Sequence, residues 1–348
     1  MCERHDAGHG NHLEVNAVLK RIMLGVAAAA LLAGPVVADE FAPAVVYDLG
    51  GKFDKSFNES AYMGAEKFKA DTGTDYRDFE IQNDSQREQA LRNFARRGAN
   101  PVIAIGFSHA NALEKVAEEF PETKFAIVDM VVDKPNVRSI VFKENEGSYI
   151  VGKLAIMASE SKKVGFVGGM DVPLIRKFAC GYKQGVLETN PDAEVFENMT
   201  GNTGAAWTDP IKGGELAKSQ IDRGADVIYH AAGGTGLGVL QAAADAGKLG
   251  IGVDSNQNAL HPGQILTSML KRVDVAVAKT FTDARDGEWT SGIYSLGLKE
   301  GGVDWALDDN NKDLITDEMK AAVEKAKADI IAGDIKVHDY IAEGECPF

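Results

Sequence analysis

The chain has 348 residues, with 37 Lys+Arg against 52 Asp+Glu and a formal charge of −15. Apolar residues at 45% and 37 glycines exclude intrinsic disorder and a coiled coil, and leave enough material for two lobes that each bury a core. The acid excess argues against a nucleic-acid-backbone binder, which needs a basic face.

At the N-terminus, Lys20 and Arg21 precede an uncharged run, Ile22–Val37, closed by the small residues before Asp39. A basic start, a short apolar stretch and a small-residue site describe an export signal removed after Ala38. The alternative, an anchor helix, is disfavoured by Pro35 and by the shortness of the run. Residues 1–17 are an odd preface to a signal, which suggests a true start near Val18. No Cys follows the apolar run, so a free periplasmic protein is expected rather than a lipoprotein. After residue 40 no segment is apolar for long enough to insert stably in a membrane.

Strand-like runs then alternate with amphipathic stretches. In the first set, strands are expected at 44–49, 79–82, 102–106 and 125–129, with helices at 59–71, 85–97 and 110–120 between them. The second set has helices at 148–159, 174–189, 213–223 and 237–246, with strands at 164–167, 194–197, 227–230 and 250–253. This alternation predicts an α/β protein of two doubly wound parallel-sheet lobes. The β-rich stretches at 137–145, 265–270 and 293–298 are expected to cross between lobes. A helix at 317–331 and a short strand at 335–340 close the chain. The lobes are expected to comprise 39–143 with 269–290, and 144–268 with 291–348.

Ligands of open parallel sheets bind beyond the carboxyl ends of the strands. Here those ends carry Asp48, Gly106-Phe107, Asp129, Gly233-Gly234 and Asp254. Any one such Asp is ordinarily a turn or capping residue. Several at equivalent ends, with aromatics close by, suit a polar, uncharged ligand bearing hydroxyls and a flat ring. Gly234-Thr-Gly236-Leu-Gly238 superficially mimics a dinucleotide fingerprint, but its last glycine comes one position early. Glu114, Glu118 and Glu119 fit the solvated face of a helix. No metal-ligand spacing, nucleophile elbow or nucleophile–base pair is present, so neither a cofactor nor catalysis is expected. Without Cys2, which the signal carries, an even pair remains, Cys180 and Cys346. It is open to one disulfide or to two free buried thiols.

The segment Asp48-Leu-Gly-Gly-Lys-Phe-Asp-Lys-Ser56-Phe57-Asn58 resembles the N-terminal signature of the basic membrane protein (BMP) family, ABC-transporter substrate-binding proteins that include bacterial purine-nucleoside receptors. The likeness continues through Val128-Asp129, KVGFVGGM at 163–170, Phe178-Ala-Cys-Gly181-Tyr182, 230–236, Gly252–Gln257 and Thr267–Lys271. The resemblance implies a type I periplasmic-binding-protein fold with three crossings. It also implies a nucleoside ligand and a permease partner in the inner membrane. Phe57 and Phe178 would sandwich the base. Asp48, Asn58 and Asp129 would bond base edges or sugar hydroxyls, Asp254 and Lys271 the ribose, and Gly233-Gly234 would allow close approach. Ser56 and Phe107 are further candidates, and Trp207 is either a third wall or a surface turn. Asn256 stands where the family commonly has a second acid. Such a receptor is expected to be a monomer. The competing readings are another ligand on the same scaffold (a free base, a flavin or a sugar) and an exported nucleoside-processing enzyme.

Overall fold

The computed structural model describes residues 41–348; the export signal expected at 1–38 lies outside the described residues. The first sheet is built from β1 (Ala44–Tyr47), β2 (Arg77–Glu80), β3 (Val102–Ile105), β4 (Phe125–Val128) and β5 (Val137–Phe142). Helices α1 (Phe57–Thr72), α2 (Arg87–Arg96) and α3 (Ala110–Glu119) connect its first four strands. Its order is β11-β5-β4-β3-β1-β2, all parallel, with β11 (Gly292–Leu296) at the edge. Each residue of β1, β3 and β4 is buried, because helices cover both faces and the strands become continuous apolar runs.

The second sheet repeats the plan. After α4 (Glu144–Ala158) come β6 (Lys163–Met170), α5 (Pro173–Thr189), β7 (Glu194–Gly201), α6 (Pro210–Asp222) and β8 (Val227–Ala231). Then follow α7 (Gly236–Asp245), β9 (Leu249–Asp254), β10 (Ile265–Lys271), α8 (Val273–Arg285) and, beyond β11, β12 (Val303–Trp305). The order is β12-β10-β9-β8-β6-β7, parallel except for the antiparallel β12. In each sheet the first strand lies inside the second, so the strand order reverses there. At such a point the loops diverge and leave a crevice.

The chain crosses between the sheets at Lys143, at Arg272 and between β11 and β12. This moves two expected boundaries. Residues 269–271 belong to the second sheet, because β10 pairs with β9 and β12 through Lys271. Residues 292–296 belong to the first sheet, because β11 pairs with β5 along its length and the chain crosses only afterwards. The strand expected at 335–340 does not form. That stretch has no sheet partner and is held by side chains instead: Asn145 donates to the carbonyls of Val337 and His338, and Gln184 accepts from the His338 amide.

Helices α4 and α5 pack closely. A Cβ on Gly181 would lie 2.4 Å from the Asn145 carbonyl oxygen, so only glycine permits this approach. A disulfide joins Cys180 on α5 to Cys346 in the tail, across 166 residues. Replacing both cysteines by serine is expected to lower unfolding stability by roughly 2–5 kcal/mol, measured by urea denaturation without reductant. A change below about 0.5 kcal/mol would show that the tail stays docked unaided. Among the described residues no helix is long and apolar enough to cross a membrane.

Candidate functional site

The carboxyl ends of both sheets face one cavity, lined by residues of both, at the place where open parallel sheets bind their ligands. The first lobe contributes Asp48, Phe57, Asn58, Phe107 and Asp129 to its lining. The second contributes Phe178, Trp207, Gly233, Asp254 and Lys271. Of the expected residues only Ser56 and Gly234 stand outside the lining, Ser56 being fully buried behind it.

Local chemistry explains each placement. Asp54 accepts from the backbone amides of Ser56, Asn58 and Glu59, satisfying the free donors at the start of α1 and fixing Phe57 as its first residue. Phe178 projects from α5, which begins with Pro173, a residue preorganised for a helix start. Trp207 ends the short turn Gly204–Trp207 and packs over Gly169, which makes it a cavity wall rather than a surface residue.

Asp48 follows β1. Its Oδ1 accepts from the Leu49 amide at 2.7 Å and pairs with Arg87 Nη1 at 2.7 Å. Burial raises its carboxyl, against the pull of Arg87. The next strand end must be glycine, because at Gly106 φ is +108° and a Cβ would lie 2.3 Å from Asp48 Oδ2. Asn58 departs from its expected role. Its Oδ1 accepts from the Asp48 amide, and its Nδ2 donates to the carbonyls of Leu49 and Asp48. The side chain is committed to shaping the turn that carries Asp48, which leaves its amide group little capacity for a ligand.

Asp129 directly follows β4 and Asp254 is the last residue of β9, and both are left-handed, with φ of +73° and +62°. Aspartate tolerates this conformation better than most residues, and such backbone strain concentrates at functional sites. Asp129 Oδ2 accepts from Lys271 Nζ at 2.6 Å, while its Oδ1 is buried with no hydrogen-bond partner among the described residues. Asp254 accepts from Ser56 Oγ, and burial pushes its carboxyl up to about 7 despite Lys271 and Ser56.

Lys271, expected as a ligand donor, is fully enclosed. Besides Asp129 it pairs with Glu144 Oε1 at 2.9 Å. Its Nζ stands 5.1 Å from the Phe57 ring centroid and 5.6 Å from that of Phe178, so the two aromatic walls flank one ammonium from opposite lobes. Such placements favour the charged lysine, and the acids hold its pKa above the usual value against burial.

Two connections between lobes support this floor. Ser255 Oγ donates to the Ser56 carbonyl, and Gln257 Nε2 donates to the Lys55 carbonyl. Gln257 Oε1 also bonds His230, which burial keeps neutral by lowering its pKa to about 4. A second, more open depression adjoins the first along Asp48, Leu49 and Trp207. At this rim Leu49 of the first lobe packs over Gly204 of the second.

Arg87, Glu144 and Lys177 carry no local sequence signal. Charged residues near helix starts ordinarily face solvent, and the partners that bury these come from elsewhere in the chain: Asp48 for Arg87, besides its neighbour Asp84, and Lys177 and Lys271 for Glu144. Asp54 did carry a cue, since an Asp a few residues before an amphipathic run is a capping signal. Among the described residues no cluster of His, Cys, Asp or Glu is arranged to hold a metal.

Two parallel-sheet lobes, joined by three crossings and lined with polar and aromatic side chains where they meet, define a type I periplasmic-binding-protein architecture. The family model described as ABC transporter substrate-binding protein, PnrA-like, matches residues 41–339, and the chain belongs to that family. It is 36% identical over 321 residues to a CD4+ T-cell-stimulating antigen of Listeria monocytogenes, covering 86% of this chain and 88% of that one. It is 34% identical to the ABC transporter nucleoside-binding protein BmpA of Lactococcus lactis, covering 86% and 90%. A solved ABC-transporter solute-binding protein from Aeropyrum pernix K1 superposes with a TM-score of 0.79 at 31% identity, over 86% of this chain and 93% of that one. The family is one of substrate-binding proteins.

Proposed function

We propose that the protein captures a nucleoside, purine in preference, between its lobes and delivers it to an ABC-transporter permease in the inner membrane, without catalysing a reaction. The observation that carries this reading is the pair of rings, Phe57 and Phe178, set from opposite lobes around one ammonium and bordered by the carboxylates of Asp48, Asp129 and Asp254. A flat heterocycle between two rings gains roughly 0.5–1.5 kcal/mol per stacked pair beyond area burial. The buried Asp129 Oδ1 offers an acceptor for a hydroxyl or amine, and each charge-assisted bond of this kind contributes about 1.5–3 kcal/mol. The Lactococcus relative named as nucleoside-binding agrees with this chemistry.

In this reading the mature protein works as a monomer in the periplasm. The test is calorimetric titration with inosine, adenosine, guanosine, uridine, riboflavin and ribose, alongside mass spectrometry of what co-purifies. Purine nucleosides are expected to bind near micromolar or tighter, about −8 kcal/mol, with uridine weaker and ribose silent. Binding of riboflavin or ribose in their place, or release of free base during incubation, would overturn it.

A further inference from the structure

Behind Lys271 lies a chain of alternating charges with no ligand contact of its own. Glu144 is fully buried at the start of α4 and presents one oxygen to each of two lysines: Oε1 to Lys271 at 2.9 Å, Oε2 to Lys177 at 2.6 Å. Lys177, also buried, donates to the carbonyl of Phe142, the last residue of β5 before the first crossing. Burial disfavours an ionised Glu144, but the two lysines outweigh it and hold the group below the usual carboxylate range. Asp129, Lys271, Glu144 and Lys177 therefore form a neutral series of four charges running from the first lobe into the second. A buried charge without its partner is strongly unfavourable, so each member fixes the next.

The placement of this series gives it a purpose. Lys177 directly precedes Phe178, so the contact that anchors Lys177 to the crossing also sets one aromatic wall. Lys271 directly precedes the second crossing, at Arg272. An ammonium has three donors; Asp129 accepts one, while Glu144 holds the charge as an ion pair at 2.9 Å, and donor capacity remains toward the cavity that Lys271 lines. We propose that Glu144, held by Lys177, is a positioning residue for ligand capture: it aims the remaining Lys271 donor between Phe57 and Phe178 and couples it to the crossing segments. This rests on the nucleoside reading above for the probe ligand only, since the charge series involves protein groups alone.

The experiment is a double-mutant cycle read by calorimetry with a purine nucleoside that the wild type binds, using Glu144→Gln, Lys271→Met and their combination, with circular dichroism to check folding. Glu144→Gln is expected to weaken binding tenfold or more, and to cost less than twofold further once Lys271 is already Met. Glu144→Asp keeps the charge and is expected to recover part of the loss. If Lys271→Met binds too weakly to close the cycle, the acid limb of the affinity profile decides. That limb is assigned to Asp254, which is faced by Lys271, Ser56, Asp54 and Asp129. It should move to lower pH in Glu144→Gln, because Lys271 then shares its charge with one acid fewer. Equal losses in both backgrounds, an unmoved acid limb, or wild-type affinity in Glu144→Gln would overturn the proposal. A wild type that binds no nucleoside fails the earlier reading, whereas a wild type that binds with Glu144→Gln unchanged fails this one.

Discussion

Replacing Phe178 by Ala is expected to weaken purine-nucleoside binding by roughly 2–3 kcal/mol, about 30- to 150-fold, through the loss of one stacked face and its apolar area. The ring is only 3% exposed and belongs to the apolar core around α4 and α5, so truncation also removes packing. Loss of a buried Phe side chain typically costs about 3–5 kcal/mol of stability, and the variant must be examined well below its melting transition. Phe178→Leu separates the two effects, since it retains most of the packing and none of the stacking. Calorimetry on both variants is the measurement. Wild-type affinity in Phe178→Leu would remove the ring from the site.

Asp254 gives the second large effect, and it acts in opposite directions on stability and on binding. Burial raises its pKa from 3.8 to about 7 in the folded protein. A group raised on folding contributes stability that is complete below its unfolded pKa and fades as pH rises through the folded one. The free protein should therefore lose this contribution between about pH 4 and pH 7. Ligand hydroxyls favour the ionised acceptor, so affinity should rise over the upper part of the same interval. The thermal shift caused by a nucleoside is expected to be larger at pH 8 than at pH 6. In Asp254→Asn the acceptor stays neutral at every pH. Its affinity should fall about a hundredfold, by the loss of one or two charge-assisted bonds, and the pH dependence should flatten. An Asn variant that keeps the wild-type pH profile would assign the titration to another group.

Much of the architecture was legible because parallel strands covered on both faces are short, continuous apolar runs, and the helices between them carry a one-sided pattern. The pattern was silent where stability comes from elsewhere. Strand β12 has three residues and exists through its pairing with β10, so nothing local marks it. The stretch 335–340 has a strand-like composition, but its carbonyls are met by Asn145 and Gln184 rather than by a neighbouring strand. At the site, the strand-end aspartates and glycines were visible because a tight turn restricts which residues fit. The commitment of Asn58 to backbone was not, since a free amide and a turn-shaping amide are the same residue in a sequence. Glu144 and Lys177 stayed hidden for a related reason: their partners come from distant parts of the chain.

The arrangement of contacts around the cavity bears on what it takes to let a ligand in. The buried ion pairs stand beside residues 143 and 272, where the polypeptide passes from one half to the other. The rim is closed by apolar contact, with Leu49 against Gly204 and Trp207 nearby. A rotation about the passage points displaces the pivot least and the rim most. Admission of solute thus parts hydrocarbon surfaces at the rim and the interlobe hydrogen bonds of Ser56, Ser255 and Gln257, while the Glu144–Lys177 pair behind the cavity stays closed.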